Sequence, residues 1–182
     1  MEIRLIRHGK PTSAQNPKLT ALGFVYWIKA YNASNVASDS LPPLNLQHTI
    51  KAHYTVASTL PRAVDSAVIA TGNVPEQTLS VLRELEIPRY KLPLKLNAWT
   101  WVYLSRLLWY LGFKGNFETY KAGKQRAFIA ADKLIELAVK HDNIAVFSHG
   151  VINIYIRRRL KQLGWRELEK SNKYWGMNRF VK

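Results

Sequence analysis

The 182-residue chain contains no cysteine, which excludes a disulfide scaffold and any metal site built from thiolates. It also lacks the glycine-rich phosphate loop of P-loop NTPases, the glycine fingerprint of dinucleotide-binding folds and the ligand spacing of zinc sites. Residues 1–10 have no apolar stretch long enough for an export signal. Because a chain without cysteine suits a reducing compartment, we expect a cytoplasmic protein.

Acidic residues are scarce, with 12 Asp and Glu against 27 Lys and Arg and a net charge of +15. Such an excess attracts phosphorylated substrates, nucleic acid or an acidic membrane surface, and charge alone does not choose among them. Basic residues are concentrated late in the chain, in Arg157–Arg159 and Lys161, where a solvated helix face is the alternative interpretation. The hydrophobic fraction of 47% is ordinary for a globular protein, and we expect one domain over residues 1–182.

Short apolar runs alternate with helix signals along the chain. Strands are predicted over 3–6, 53–58, 78–82, 143–148 and 174–181, the last of them as an edge strand, and helices over 21–30, 61–70, 118–140 and 151–163. Residues 32–48 are rich in Asn, Ser and Pro and are predicted to form a loop. Strands that alternate with helices indicate an α/β fold, a three-layer sandwich with a mostly parallel central sheet and helices on both faces.

Four residues with charged or titratable side chains follow the first four predicted strands: His8, Arg62, Glu84 and His149. The carboxyl ends of parallel strands form one edge of a sheet, and ligands bind in the crevice outside that edge. The four side chains are therefore predicted to converge, although they lie far apart in sequence. A histidine beside a fixed positive charge, as in Arg7-His8, can attack and hold a phosphoryl group.

Several further short motifs occur in order along most of the chain. They are Arg7-His8-Gly9, Leu19-Thr20 with Gly23, Ser58–Ala63, Leu82-Arg83-Glu84, Glu118-Thr119 with Arg126, and Ser148-His149-Gly150-Val151-Ile152. In this order and spacing they resemble the histidine phosphatase superfamily, in its phosphoglycerate-mutase-like branch. The resemblance implies a phosphoglycerate-mutase-like fold.

The resemblance also implies a role for each residue of the set. His8 is the nucleophile that becomes phosphorylated, and Glu84 is the proton donor to the leaving oxygen. The residues implied to bind the phosphate are Arg7, Arg62, His149 and Thr20, with His149 also catalytic. These roles agree with the chemistry, because a phosphoryl transition state spreads negative charge over its oxygens and cationic groups stabilise it. An acid near neutral pH needs a raised pKa, which partial burial of Glu84 could supply.

The implied activity is hydrolysis of phosphomonoesters or phospho-amino-acid groups, on a phosphorylated small molecule or a phosphoprotein, with neither metal nor organic cofactor. One alternative is a mutase that returns the phosphoryl group to its substrate, although a compact chain has little structure to exclude water from the intermediate. A phosphatase of phosphohistidine proteins is another. From a different class, the alternative is a catalytically weak basic module that binds nucleic acid or an acidic membrane.

Two departures from the family pattern concern substrate contacts and the acid. Pro11 stands where the family often has Ser or Thr, so that Thr12 or Ser13 would have to substitute, and Asn16 falls two places late. Glu86 is a rival to Glu84 as the acid; we favour Glu84 because it follows Leu82-Arg83 directly.

A tryptophan-rich stretch at residues 95–113 contains three of the chain's six tryptophans. It is too short and too interrupted, by Ser105 and Arg106, to span a bilayer, and is predicted to form a helix that packs on the domain. In the family this region tends to carry substrate-selective insertions. We therefore expect a lid whose aromatic face grips a bulky or apolar leaving group or touches an acidic membrane surface.

Overall fold

The computed structural model describes every residue from Met1 to Lys182. Its strands are β1 (Glu2–Arg7), β2 (Lys18–Thr20), β3 (Tyr54–Ser58), β4 (Gln77–Leu79), β5 (Lys95–Asn97), β6 (Asn143–Ser148), β7 (Arg166–Glu169) and β8 (Met177–Val181). Its helices are α1 (Ala21–Ala33), α2 (Leu44–Ile50), α3 (Pro61–Thr71), α4 (Ala98–Tyr110), α5 (Tyr120–His141) and α6 (Gly150–Gln162).

The central sheet has six strands in the order β4-β3-β6-β1-β8-β7. The first four are parallel to one another, β8 pairs antiparallel with β1, and β7 pairs antiparallel with β8. In the pairing of β1 with β6, Arg7 lies opposite Ser148, so both strands end at the same level. The residues that follow them, His8 and His149, therefore emerge side by side at the carboxyl edge of the sheet.

Both faces of the sheet are buried because its strands carry apolar residues on alternate sides. Ile3 and Leu5 of β1 face the larger core cluster, which includes residues of α5 and α6. Ile6 faces the opposite side, in a second cluster with residues of α2 and α3. This arrangement confirms the predicted α/β fold with a mostly parallel sheet between helical layers.

Local sequence signals position the helices at the edge of the sheet. Thr20 caps α1, with its hydroxyl accepting a hydrogen bond from the Gly23 N–H. Pro61 occupies the first turn of α3, as predicted, and this helix ends at Gly72 with a φ of 77°, a left-handed conformation that glycine adopts without strain.

Three parts of the fold differ from the sequence prediction. Part of the predicted loop over 32–48 is helical, because α2 buries Leu46 and Ile50 against the second cluster. The third predicted strand is only β4, followed by a 3₁₀ turn at Ser80–Leu82. The last strand, β8, is internal, and the edge is β7, a mostly exposed strand without a clear alternating apolar pattern.

The tryptophan-rich stretch forms β5 and α4. Trp101 packs against Phe24 of α1, and Trp109 joins the larger core cluster, so both rings are almost fully buried. The single domain over 1–182 and the lid at 95–113 stay predictions. Deletion of residues 95–113 would remove two buried core side chains, Trp101 and Trp109. No helix of this structure is both long enough and apolar enough to cross a bilayer.

Candidate active site

His8 and His149 lie together at the carboxyl edge of the sheet. Their ring centroids are 5.0 Å apart, and the rings are inclined by 58°. The backbone N–H of His8 donates a hydrogen bond to the Ser148 carbonyl at 3.0 Å, which continues the pairing of β1 with β6 by one residue. Both side chains are buried, with 2% and 0% of their surface exposed. The predicted meeting of the two imidazoles is therefore present.

The hydrogen bonds of His8 define its protonation state. Its Nδ1 lies 2.7 Å from the Gly9 carbonyl, which can only accept, so Nδ1 carries the proton. The Arg62 Nε–H donates to His8 Nε2 at 3.2 Å, so Nε2 holds a lone pair. Burial, followed by the charge of Arg62, lowers the pKa of His8 to about 3. A neutral imidazole with an unprotonated Nε2 is the form required of a nucleophile.

Arg62 is a buried cation without a carboxylate partner within ion-pair distance. It lies in the first turn of α3 and is 1% exposed. Its Nη1 donates to the Tyr31 carbonyl at 3.0 Å, and its guanidinium lies 4.8 Å from the centre of the Tyr31 ring. Burial lowers its pKa from the ordinary value. A desolvated guanidinium next to Nε2 of His8 is well suited to a phosphoryl oxygen.

Two further polar atoms of the predicted pocket are buried without a partner. They are Nδ1 of His149 and Nε of Arg7. The other nitrogen of His149, Nε2, lies 2.8 Å from the Ser58 hydroxyl, while Nη1 of Arg7 donates to the Asn172 carbonyl at 2.8 Å. Burial, then the neighbouring His8 and Arg62, lowers the pKa of His149 well below its ordinary value. Unsatisfied buried groups are rare and point to a ligand.

Glu84 and Arg62 line the same cleft, which has a volume of about 290 Å³. The Glu84 carboxylate accepts hydrogen bonds from the Val151 N–H at 3.0 Å and the Ile152 N–H at 2.9 Å, at the start of α6. Glu86 also lines this cleft but is exposed, and its carboxylate accepts from the backbone of the segment before α5. Of the two rivals, Glu84 is the one held against the helix that begins beside His149.

Thr20 is not brought to this cluster. Its hydroxyl caps α1, and the end of α1 that reaches Arg62 is at Tyr31, eleven residues or about 16 Å farther along the helix. The loop before it is also engaged elsewhere, since the Asn16 side chain accepts from the Trp99 N–H at 3.0 Å and so caps α4. Thr20 therefore lies apart from the cluster along α1, and its contact with phosphate stays a prediction.

Other side chains at the site were not identified from the sequence. The Ser66 hydroxyl accepts from the Gly9 N–H at 2.9 Å and donates to the Arg62 carbonyl at 2.6 Å, which ties the loop after β1 to α3. Its position one helical turn after Arg62 was the only available signal. Tyr174 precedes β8, and its ring lies 5.8 Å from that of His8, a contact made by the tertiary fold alone.

Gly9 is required by a close approach of the chain. A Cβ atom at this position would lie 2.6 Å from Cζ2 of Trp175, which is itself held at a φ of 59° in the loop before β8. The same loop covers His8 with the ring of Tyr174, 5.8 Å away, and it is tied to β1 by the backbone N–H of Trp175, which donates to the Arg7 carbonyl at 3.0 Å. Any larger residue at Gly9 would displace this cover.

The buried neutral histidines make the folded state sensitive to acid. The pKa of His8 and that of His149 are lowered on folding, so both groups take up a proton on unfolding below about pH 6.5. Their contribution is complete above that pH and is lost as the pH falls toward about 3. For His8 the cost should be about 2 kcal/mol between pH 6.5 and 5, and His149 adds a cost of the same sign. His53 acts in the same direction, because burial lowers its pKa as well.

Urea unfolding at pH 7.5 and pH 5.0 measures this dependence. We expect the free energy of unfolding to be smaller at pH 5.0 than at pH 7.5, and the difference to shrink by about 2 kcal/mol in His8→Ala. Equal free energies at the two pH values would show that the imidazoles are not held neutral.

A model of the histidine phosphatase superfamily (branch 1) matches residues 37–173 of the chain. No curated protein sequence matches it. Among solved structures, an open reading frame product of Mycobacterium tuberculosis is 17% identical with a TM-score of 0.63, over 88% of this chain and 80% of that chain. A phosphoserine phosphatase variant of Entamoeba histolytica in complex with phosphoserine is 15% identical with a TM-score of 0.58, over 99% and 90%.

The alpha-ribazole phosphatase of Shigella flexneri is 16% identical with a TM-score of 0.52, over 88% of this chain and 79% of that chain. At these identities the likeness concerns the fold alone.

Proposed function

Because the chain belongs to the histidine phosphatase superfamily, we propose that it is a phosphatase that hydrolyses phosphomonoesters or phospho-amino-acid groups through a phosphohistidine intermediate on His8. The observation that carries the proposal is the state of His8: a neutral ring whose Nε2 lone pair faces a buried guanidinium. The unpartnered nitrogens of Arg7 and His149 support an anion at the same place.

In the first step, a phosphoryl group enters and the Arg62 N–H moves its hydrogen bond from His8 Nε2 to a phosphoryl oxygen. The freed lone pair attacks phosphorus, the P–N bond forms and the P–O bond to the leaving group breaks. Glu84, in its protonated form, gives its proton to the leaving oxygen. Arg7, Arg62 and His149 stabilise the charge that spreads over the phosphoryl oxygens.

In the second step, water attacks the phosphohistidine. Glu84, now a carboxylate, accepts a proton from this water, the P–N bond breaks and inorganic phosphate leaves. His8 returns to its neutral form and Glu84 to its protonated form, so the cycle closes. Neither step requires a metal ion or an organic cofactor.

The proposal is tested by phosphate release from a panel of phosphorylated compounds in the presence of a chelator. The panel contains p-nitrophenyl phosphate, phosphorylated metabolites and phosphopeptides, and it includes phosphoserine and alpha-ribazole phosphate because two structural relatives carry those names. We expect inorganic phosphate in a one-to-one ratio with substrate consumed, at the same rate with and without EDTA.

Two results would contradict the proposal. A phosphorylated isomer formed in place of inorganic phosphate would identify a mutase. No turnover of any compound, with salt-sensitive retention on DNA that His8→Ala leaves unchanged, would identify a binding module.

A further inference from the structure

The hydroxyl of Tyr31 stands at the cleft of the proposed site without a partner in the chain. Tyr31 lies near the end of α1, is 7% exposed, and lines the cleft together with Arg62 and Glu84. Its backbone carbonyl accepts from Arg62, but no hydrogen bond engages its phenolic oxygen. The phenolic oxygen is not among the fully buried unpartnered atoms of the chain, so it is accessible to a ligand although the rest of the side chain is buried.

Aromatic packing fixes the Tyr31 ring in place. The ring stacks on Trp27 with centroids 5.1 Å apart and an inclination of 13°. Trp99 of α4 meets it edge-on at 5.7 Å, and the Arg62 guanidinium lies 4.8 Å from its centre. Because these contacts fix the ring, its hydroxyl loses little further conformational entropy when it binds a ligand.

The surroundings keep this hydroxyl protonated. Burial raises the pKa of Tyr31 to about 12, with a further contribution from Tyr174. Its titration also responds to the charges of Arg62, Glu84 and Arg7, which are the groups assigned here to phosphoryl binding and proton transfer. Tyr31 is thus a neutral O–H donor among these groups at neutral pH.

The other hydroxyls near His8 are already in use or lie elsewhere. The Ser58 hydroxyl is engaged by His149, and the Ser66 hydroxyl joins Gly9 to Arg62. The Tyr174 ring is covered by Arg7 at 4.2 Å, and Tyr174 borders a different surface groove, beside α2. Ser80 also lines the cleft that Arg62 and Glu84 share, but it is exposed, so Tyr31 is the residue of that cleft that carries a free hydroxyl on a buried side chain.

We propose that the Tyr31 hydroxyl donates a hydrogen bond to an oxygen of the bound phosphoryl group and is a further catalytic residue of this site. The inference rests on the proposed phosphatase function and adds a neutral donor to its cationic pocket. Such a contact strengthens as negative charge develops on the phosphoryl oxygens, so it contributes to catalysis as well as to binding.

The test is Tyr31→Phe, which keeps the ring and removes the hydroxyl. The matched control is Tyr26→Phe on the same helix, where the side chain is 62% exposed. The measurements are kcat/KM on p-nitrophenyl phosphate and on an alkyl phosphate, the affinity for orthovanadate, and the melting temperature. We expect Tyr31→Phe to lower kcat/KM roughly 10- to 100-fold on both substrates and to weaken vanadate binding about 10-fold.

The melting temperature of Tyr31→Phe should match that of wild type, because no protein group is hydrogen-bonded to the hydroxyl that the variant loses. Tyr26→Phe should match wild type throughout. Activity and vanadate affinity of Tyr31→Phe within twofold of wild type would overturn the inference. A loss confined to the alkyl phosphate would also overturn it, since that would mark proton donation to the leaving group.

Vanadate binding separates this inference from the proposed function, because it needs no turnover. A wild type that binds vanadate through Tyr31 but hydrolyses nothing would refute the phosphatase and keep this contact. An active wild type with an unaffected Tyr31→Phe would refute the contact alone. A wild type that neither hydrolyses phosphate esters nor binds vanadate would refute both.

Discussion

Replacement of His8 by alanine is expected to lower kcat on p-nitrophenyl phosphate by about 10,000-fold or more. The variant removes the only nitrogen whose lone pair is presented to the buried guanidinium, so no P–N bond can form. The remaining cations still bind a phosphate ester, and KM should change far less than kcat. Phosphate release under saturating substrate measures the effect.

The control for this variant is His48→Ala, because His48 is exposed on α2. It should retain wild-type activity. Circular dichroism of His8→Ala should show the native fold, since alanine at this position removes a buried titratable group and leaves the strand pairing intact. Activity of the variant above a tenth of wild type would show that another group is the nucleophile.

Replacement of Arg62 by methionine is expected to lower kcat/KM by about 1,000-fold without destabilising the phosphate-free protein. Methionine keeps much of the buried stem and removes the charge. Wild type buries this guanidinium with no carboxylate within ion-pair distance, which costs free energy that a bound phosphoryl group would offset. The variant also loses the hydrogen bonds that Arg62 donates to His8 Nε2 and to the Tyr31 carbonyl, which opposes this gain. We therefore expect the free energy of unfolding of the variant to stay close to that of wild type.

Thermal unfolding with and without orthovanadate measures both the stability of the phosphate-free protein and its stabilisation by a bound anion. At a vanadate concentration of about 100 times its Kd, wild type should gain roughly 5–10 °C, and Arg62→Met should gain almost nothing. Arg158→Met is the control, because Arg158 is an exposed arginine of α6. A vanadate shift of equal size in wild type and Arg62→Met would place the anion elsewhere.

The site residues that could be predicted from the sequence are those whose positions are fixed by the carboxyl ends of the parallel strands. His8 and His149 follow two parallel neighbours whose apolar alternation is visible in the sequence, so their meeting could be predicted. Arg62 follows Pro61, a strong signal for the first turn of a helix. These residues depend on local pattern and on one rule of sheet topology, and both can be read without coordinates.

The part that could not be predicted depends on contacts between distant segments. Such packing decides which part of α1 reaches Arg62: it is Tyr31, near the end of the helix, and not Thr20, which caps its start. Tyr31 looks like one more apolar position of that helix, and only the packing of α1 beside α3 turns it toward Arg62. The edge strand β7 carries no alternating apolar signal, because its burial is slight.

The central claim is that His8 carries the phosphoryl group during turnover, and a rapid-quench experiment tests it most directly. Wild type is mixed with saturating ³²P-labelled substrate, stopped in alkali within milliseconds and digested for mass spectrometry. We expect label on the peptide that contains His8, stable in alkali and released in acid. Steady turnover with no label on that peptide at any quench time, or label on a different residue, would contradict it.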